Sequence, residues 1–206
     1  MALVKYNDNS ISAISSAGQL AQGSLVPIKT LTASGSATLS FVDGSNDVVL
    51  DSTYPIYRFE FINVHGSANA NFEFQGSTNG GSSYGVTVTS SMFQVWHNEA
   101  GNDASLTYFT TGDLAQSTSF QRLCKVTGSS NADDSGSGIL TLFNPSSTTF
   151  VKHFISNANG SNSTYSQRED VGGYFNSSSV INAIRFQMSS GNIDSGSIKL
   201  YGIKDS

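Results

Sequence analysis

Short runs with an apolar residue at every second position, each stopped by Gly, Asn, Asp or Ser, recur along the whole chain. The last of them constrains the fold most. From Val180 to Lys204 the sequence reads VINAIRFQMSSGNIDSGSIKLYGIK. Val180, Ile184, Phe186 and Met188 alternate, interrupted only by Asn182, while Ile181, Arg185 and Gln187 take the other face. A period of two places successive side chains on opposite faces of a strand, one buried and one wet. Turn-forming residues follow at 189–192 and 194–196. A second run then sets Ile198 and Leu200 against Lys199, Tyr201 and Ile203. The expectation is a long-looped β-hairpin that closes a sandwich.

The remaining runs repeat the pattern. The stretch 25–32 is a strand whose Pro27 belongs at an edge or bulge, because proline cannot donate to a ladder. Ala37, Leu39 and Phe41 alternate up to Asp43-Gly44; the stretch 54–63 sets Tyr57, Phe59 and Phe61 against Ile56, Arg58, Glu60 and Ile62. Residues 71–75 are expected to pair with it. Further strands are expected at 86–88, 92–97, 106–110, 120–127, 138–144 and 148–155, whereas 156–179 reads as a long Ser/Asn-rich loop holding Tyr165, Tyr174 and Phe175. Short strands separated by turn chemistry point to an all-β, single-domain antiparallel β-sandwich over 24–206, with a jelly roll as first choice. An N-terminal arm, 1–23, precedes it. Its Leu3, Val4, Tyr6, Ile11 and Ile14 follow no period that would bury them in a strand, which makes them candidate assembly contacts, weighed evenly against an arm folded over its own sandwich.

Composition narrows the function classes. Charged residues make up only 12%, and Lys+Arg number 10 against 15 Asp+Glu, a formal net charge of −5. Nucleic-acid binding needs dense positive charge to neutralise phosphate, so that class is set aside. Hydrophobic residues at 37% argue against disorder despite the abundant Ser and Gly. The single cysteine, Cys124, allows no intrachain disulfide and reads as a strand residue. The opening Met-Ala-Leu-Val-Lys-Tyr lacks a signal peptide's apolar core, and no run approaches membrane-spanning length. Synthesis in a cytoplasm and no membrane insertion are expected.

Chemistry-bearing residues are sparse. Glu60 and Glu73, expected on adjacent strands, are the closest approach to a glycosidase pair, but solvent-facing positions between phenylalanines describe them better. His65, His97 and His153 lack the paired spacing of a zinc site. The run 131–136, NADDSG, lacks the alternate acids of a calcium loop. The expectation is therefore a non-enzymatic chain with no cofactor and no metal. Trp96-His97-Asn98-Glu99 and the loop with Tyr165, Tyr174 and Phe175 are the places where a glycan could stack or a partner subunit could touch.

Four segments carry a resemblance: MALVKYNDNSISAISSAGQLAQGSLVPIKTLTAS, LSFVDGSNDVVLDSTYPIYRFEFINVH, LFNPSSTTFVKHFIS and MSSGNIDSGSIKLYGIK. They resemble a family of small structural proteins encoded by tailed phages of marine bacteria. The similarity runs over nearly the whole chain and is weakest between residues 128 and 138 and across 157–179. The resemblance implies a β-rich virion component and supplies no catalytic or ligand residues. The function expected is a structural subunit decorating a capsid or another virion surface, in contact with other virion proteins and with its own copies as a trimer or higher oligomer. The alternative is a tail fibre or tail-tip module that binds host surface glycan.

Overall fold

The computed structural model describes residues 24–127 and 132–204. These form twelve strands and no helix. In chain order they are β1 (Leu25–Thr32), β2 (Thr38–Val42), β3 (Ile56–Gly66), β4 (Asn69–Ser77), β5 (Val88–Asn98), β6 (Ala104–Tyr108), β7 (Gln121–Thr127), β8 (Gly136–Phe143), β9 (Lys152–Asn162), β10 (Tyr165–Phe175), β11 (Ala183–Met188) and β12 (Ile193–Ile203). Two antiparallel sheets pack face to face. The larger runs β1-β12-β3-β8-β9-β10-β5-β6 and the smaller β2-β11-β4-β7. Eight of the strands nest: β1 pairs with β12, β2 with β11, β3 with β8 and β4 with β7. The other four, β9-β10 and β5-β6, extend one side of the larger sheet.

The alternation seen in sequence is the alternation of burial. Tyr57, Phe59 and Phe61 of β3, Leu140 and Leu142 of β8, and Ile198 and Leu200 of β12 face inward from the larger sheet. Phe41, Phe72, Phe74, Ile184 and Phe186 meet them from the smaller one. Phe186 sits at the hub, stacked on Phe72 at 5.7 Å between ring centres and tilted against Phe59 at 5.4 Å. Offset and edge-on aromatic contacts of this kind add to the area they bury. As expected, β1 is an edge strand, and its register breaks between Pro27 and Lys29.

Three expectations are corrected. The 180–204 stretch is not a hairpin: β11 lies between β2 and β4, whereas β12 lies between β1 and β3 in the opposite sheet. Residues 71–75 do not pair with 54–63; β3 and β4 face one another across the core, with Phe61 and Phe72 rings 5.2 Å apart. In both cases the alternation specified the buried face, and two strands that face each other across a core satisfy it as well as two neighbours do. The supposed loop 156–179 is mostly the hairpin β9-β10, paired in unbroken register from Tyr165↔Asn162 to Phe175↔Lys152. Its inward positions include Ser156, Ala158 and Gly160, too small and polar to mark a strand by hydropathy. The proposed arm, with Leu3, Val4, Tyr6, Ile11 and Ile14, lies outside the described residues.

Candidate assembly surface

The four added strands bury Met92, Phe154, Val171 and Phe175 on their inner face and leave an apolar stripe on their outer one. On the outer face of β5 and β6, Phe93 stands opposite Tyr108, and Val95 opposite Leu106. These four side chains remain 47%, 57%, 38% and 70% exposed, respectively. Each is large enough to be worth burying, and contiguous apolar stripes of this sort mark interaction sites. Tyr108 is oriented by its hydroxyl, which donates to Asp113 Oδ2 at 2.5 Å; that bond raises the phenol above its ordinary range. Along the inner border of the stripe, β10 places Asp170 beside Phe93 and Arg168 beside Val95. Arg168 Nε donates to Asp170 Oδ2 at 2.9 Å, and this bond holds the carboxyl below its usual value.

Beneath the stripe the same strands are tied to the smaller sheet by a buried polar cluster. Glu169 of β10 points inward and is fully buried. Arg122 of β7 reaches across with Nε 2.8 Å from Glu169 Oε2 and Nη2 on Oε1. Gln94 Nε2 donates to Oε1 at 3.0 Å, and Gln167 Nε2 donates to the same oxygen. The Arg122 guanidinium also lies 4.7 Å from the centre of the Phe109 ring. A carboxylate with both oxygens engaged by a guanidinium and two amides is a strut between sheets and not a base waiting for a substrate. Nearby Cys124 is wholly buried, and burial pushes its thiol far above the ordinary range, an environment that suppresses thiolate chemistry.

The glycan candidates divide. Tyr165, at the start of β10, joins the Trp96–Glu99 stretch because β10 pairs with β5 through Tyr165↔Asn98 and Gln167↔Trp96. The Trp96 and Tyr165 rings meet edge-on at 5.4 Å. A shallow groove of about 260 Å³ runs past His97, Glu99, Asn159, Ser161 and Tyr165. Tyr174 stands at the other end of β10, roughly 30 Å away at about 3.4 Å per residue, and contacts His153. Phe175 is core, packed on Phe74 and Phe154. Tyr165, Tyr174 and Phe175 therefore do not form one loop site.

Glu60 and Glu73 do not share a face. They sit on β3 and β4, each alternating with inward phenylalanines, so their side chains lie on opposite outer surfaces of the sandwich. Asp134 is buried and anchors the β9-β10 turn, accepting from the Ser161 hydroxyl and from the Ser163 amide at 2.9 Å. Among the described residues no group of three His, Cys, Asp or Glu side chains lies close enough to hold a metal. The Phe93–Tyr108 stripe escaped the sequence reading, although Met92-Phe93-Gln94-Val95-Trp96 held the signal: apolar residues on both faces of one strand. No family model, curated protein or solved structure matches the chain.

Proposed function

We propose that this chain is a non-enzymatic structural component of a tailed-phage virion, a surface decoration or accessory protein attached to the capsid. The observation that carries the reading is the apolar stripe Phe93, Val95, Leu106 and Tyr108, exposed on the outer face of the strands that extend the larger sheet. The nested pairing of eight strands supports a jelly-roll reading, in which the β5-β6 and β9-β10 hairpins widen one sheet and serve as a docking face. The segments that resemble virion proteins of marine phages support the same assignment. A modest patch per subunit suffices, because many copies bound to one particle add their contacts. The test is to purify particles, quantify this chain by mass spectrometry and place it in an image of the whole virion. Presence on the capsid surface is expected, and absence from purified particles ends the proposal. The isolated protein is also expected to leave polysaccharides intact.

A second reading, a host-glycan module at a tail tip, draws on the groove lined by His97, Glu99 and Tyr165, with the Trp96 ring edge-on to that of Tyr165. Glycan-array binding that is lost in both Trp96→Ala and Tyr165→Ala, with the protein located at the tail, would favour it.

A further inference from the structure

Among the described residues, strand β6 ends the larger sheet, with β5 as its neighbour on one side only. The phase of its ladder is fixed by two bonds, from Asn98 N to Asp103 O at 2.9 Å and from Phe109 N to Met92 O at 2.8 Å. Residues 103 and 109 therefore turn their backbone groups toward β5, as 105 and 107 must also do in an alternating antiparallel ladder. Ala104, Leu106 and Tyr108 turn their N–H and C=O groups toward the open edge. Such edges are ordinarily guarded by charge, proline, bulges or brevity. At the other margins β1 has Pro27, Lys29 and a register break, and β7 has Arg122 and Lys125. The β2 margin is flanked on its outer face by Thr38 and Ser40. The Ala-Ser-Leu-Thr-Tyr of β6 is short, but it has no charge, no proline and no register break against β5.

We propose that β6 is a self-pairing edge, and that its occupant is β6 of a second copy of this chain, added antiparallel about a two-fold axis at Leu106. In that register the side chains are complementary to themselves. Leu106 meets its counterpart, Ser105 meets Thr107, and Ala104 meets Tyr108, so an aliphatic pair, a hydroxyl pair and a small-against-large pair line the junction. The residues whose backbone groups face the edge are the ones that oppose each other, so each pair exchanges both of its bonds. No like charges are opposed, since Asp103 falls across from Phe109. Pairing covers the flanks of Leu106 and Tyr108, and it merges the two stripes into one apolar band on a continuous sheet. That band is the face the pair offers to a larger particle. The inference refines the assembly reading by naming the first partner, yet it is tested on purified protein alone, separately from virion location.

The wild-type chain should sediment as a dimer at micromolar concentration. Leu106→Cys should oxidise to a symmetric disulfide dimer, because Cα atoms of a hydrogen-bonded antiparallel pair lie about 5.5 Å apart, inside the disulfide range. Phe93→Cys, one strand further in, should not cross-link, and Cys124 is too deeply buried to interfere. Leu106→Lys should weaken association at least about tenfold while leaving the thermal melt unchanged. Removal of residues 1–22 should leave the dimer intact. A wild-type chain that stays monomeric, equal cross-linking at positions 93 and 106, or loss of the dimer on removing 1–22 would each overturn the proposal; the last would assign the edge to the N-terminal segment.

Discussion

Glu169 and Asp170 stand next to each other on β10 and point to opposite sides of the sheet, with opposite consequences. Glu169, buried under Arg122, Gln94 and Gln167, is stabilising only as long as its partner is present. Glu169→Gln keeps the shape and removes the charge, which strands the Arg122 guanidinium in the interior. Breaking a buried pair from one side costs about 3–5 kcal/mol, so the urea midpoint should fall sharply. Replacing both residues, Glu169→Leu with Arg122→Met, should recover much of that loss. Asp170 is the outward case. Its carboxyl is held low, first by the Arg168 hydrogen bond, so the folded chain binds its proton less readily than the unfolded chain does. Such a group contributes stability in full above the unfolded pKa, near 3.9, and that contribution is lost as pH falls through the lower folded value. Arg168→Ala should therefore flatten the acid limb of the stability curve and leave a smaller difference from wild type at pH 2 than at pH 6. Equal destabilisation at both pH values would assign Arg168 a packing role instead.

Among the elements, β9 shows most clearly what a sequence discloses and what it withholds. Strands β3, β11 and β12 announced themselves because phenylalanine, isoleucine and leucine occupy their inward positions. β9 alternates just as strictly, but with Ser156, Ala158 and Gly160 inside and Asn157 and Asn159 outside, so hydropathy sees no period. Those inward residues are small because the opposite sheet comes close. A Cβ on Gly160 would lie 2.3 Å from the Lys125 carbonyl oxygen of β7, a backbone atom with little room to move. Gly160→Ala should separate β9 from β7 at a cost of about 1–3 kcal/mol, typical of overpacking; an unchanged melting temperature would mean the sheets can part freely there. The stripe on β5 and β6 was legible in part, as apolar residues on both faces of residues 92–96. Pairing partners were not, since alternation sets facing and leaves adjacency to long-range contacts.

For the whole molecule, strands β1 to β12 make up both sheets among the described residues, which exclude 1–22. A chain lacking them should melt as the full chain does, while its copy number on assembled particles falls if that segment attaches it. Unfolding on truncation would make the segment part of the core, and normal incorporation would leave attachment to the stripe. The nesting of the fold also governs its timing. β12, the last strand of the sandwich, sits between β1 and β3, among the first. Until it has left the ribosome, β1 has no sheet to join and one side of β3 lacks its neighbour. Contacts of such sequence separation form slowly, and unpaired edges are prone to aggregate while they wait. The sandwich therefore closes only once β12 has been translated, and a nascent chain stalled before residue 193 should be protease-sensitive at β1 and along the open side of β3.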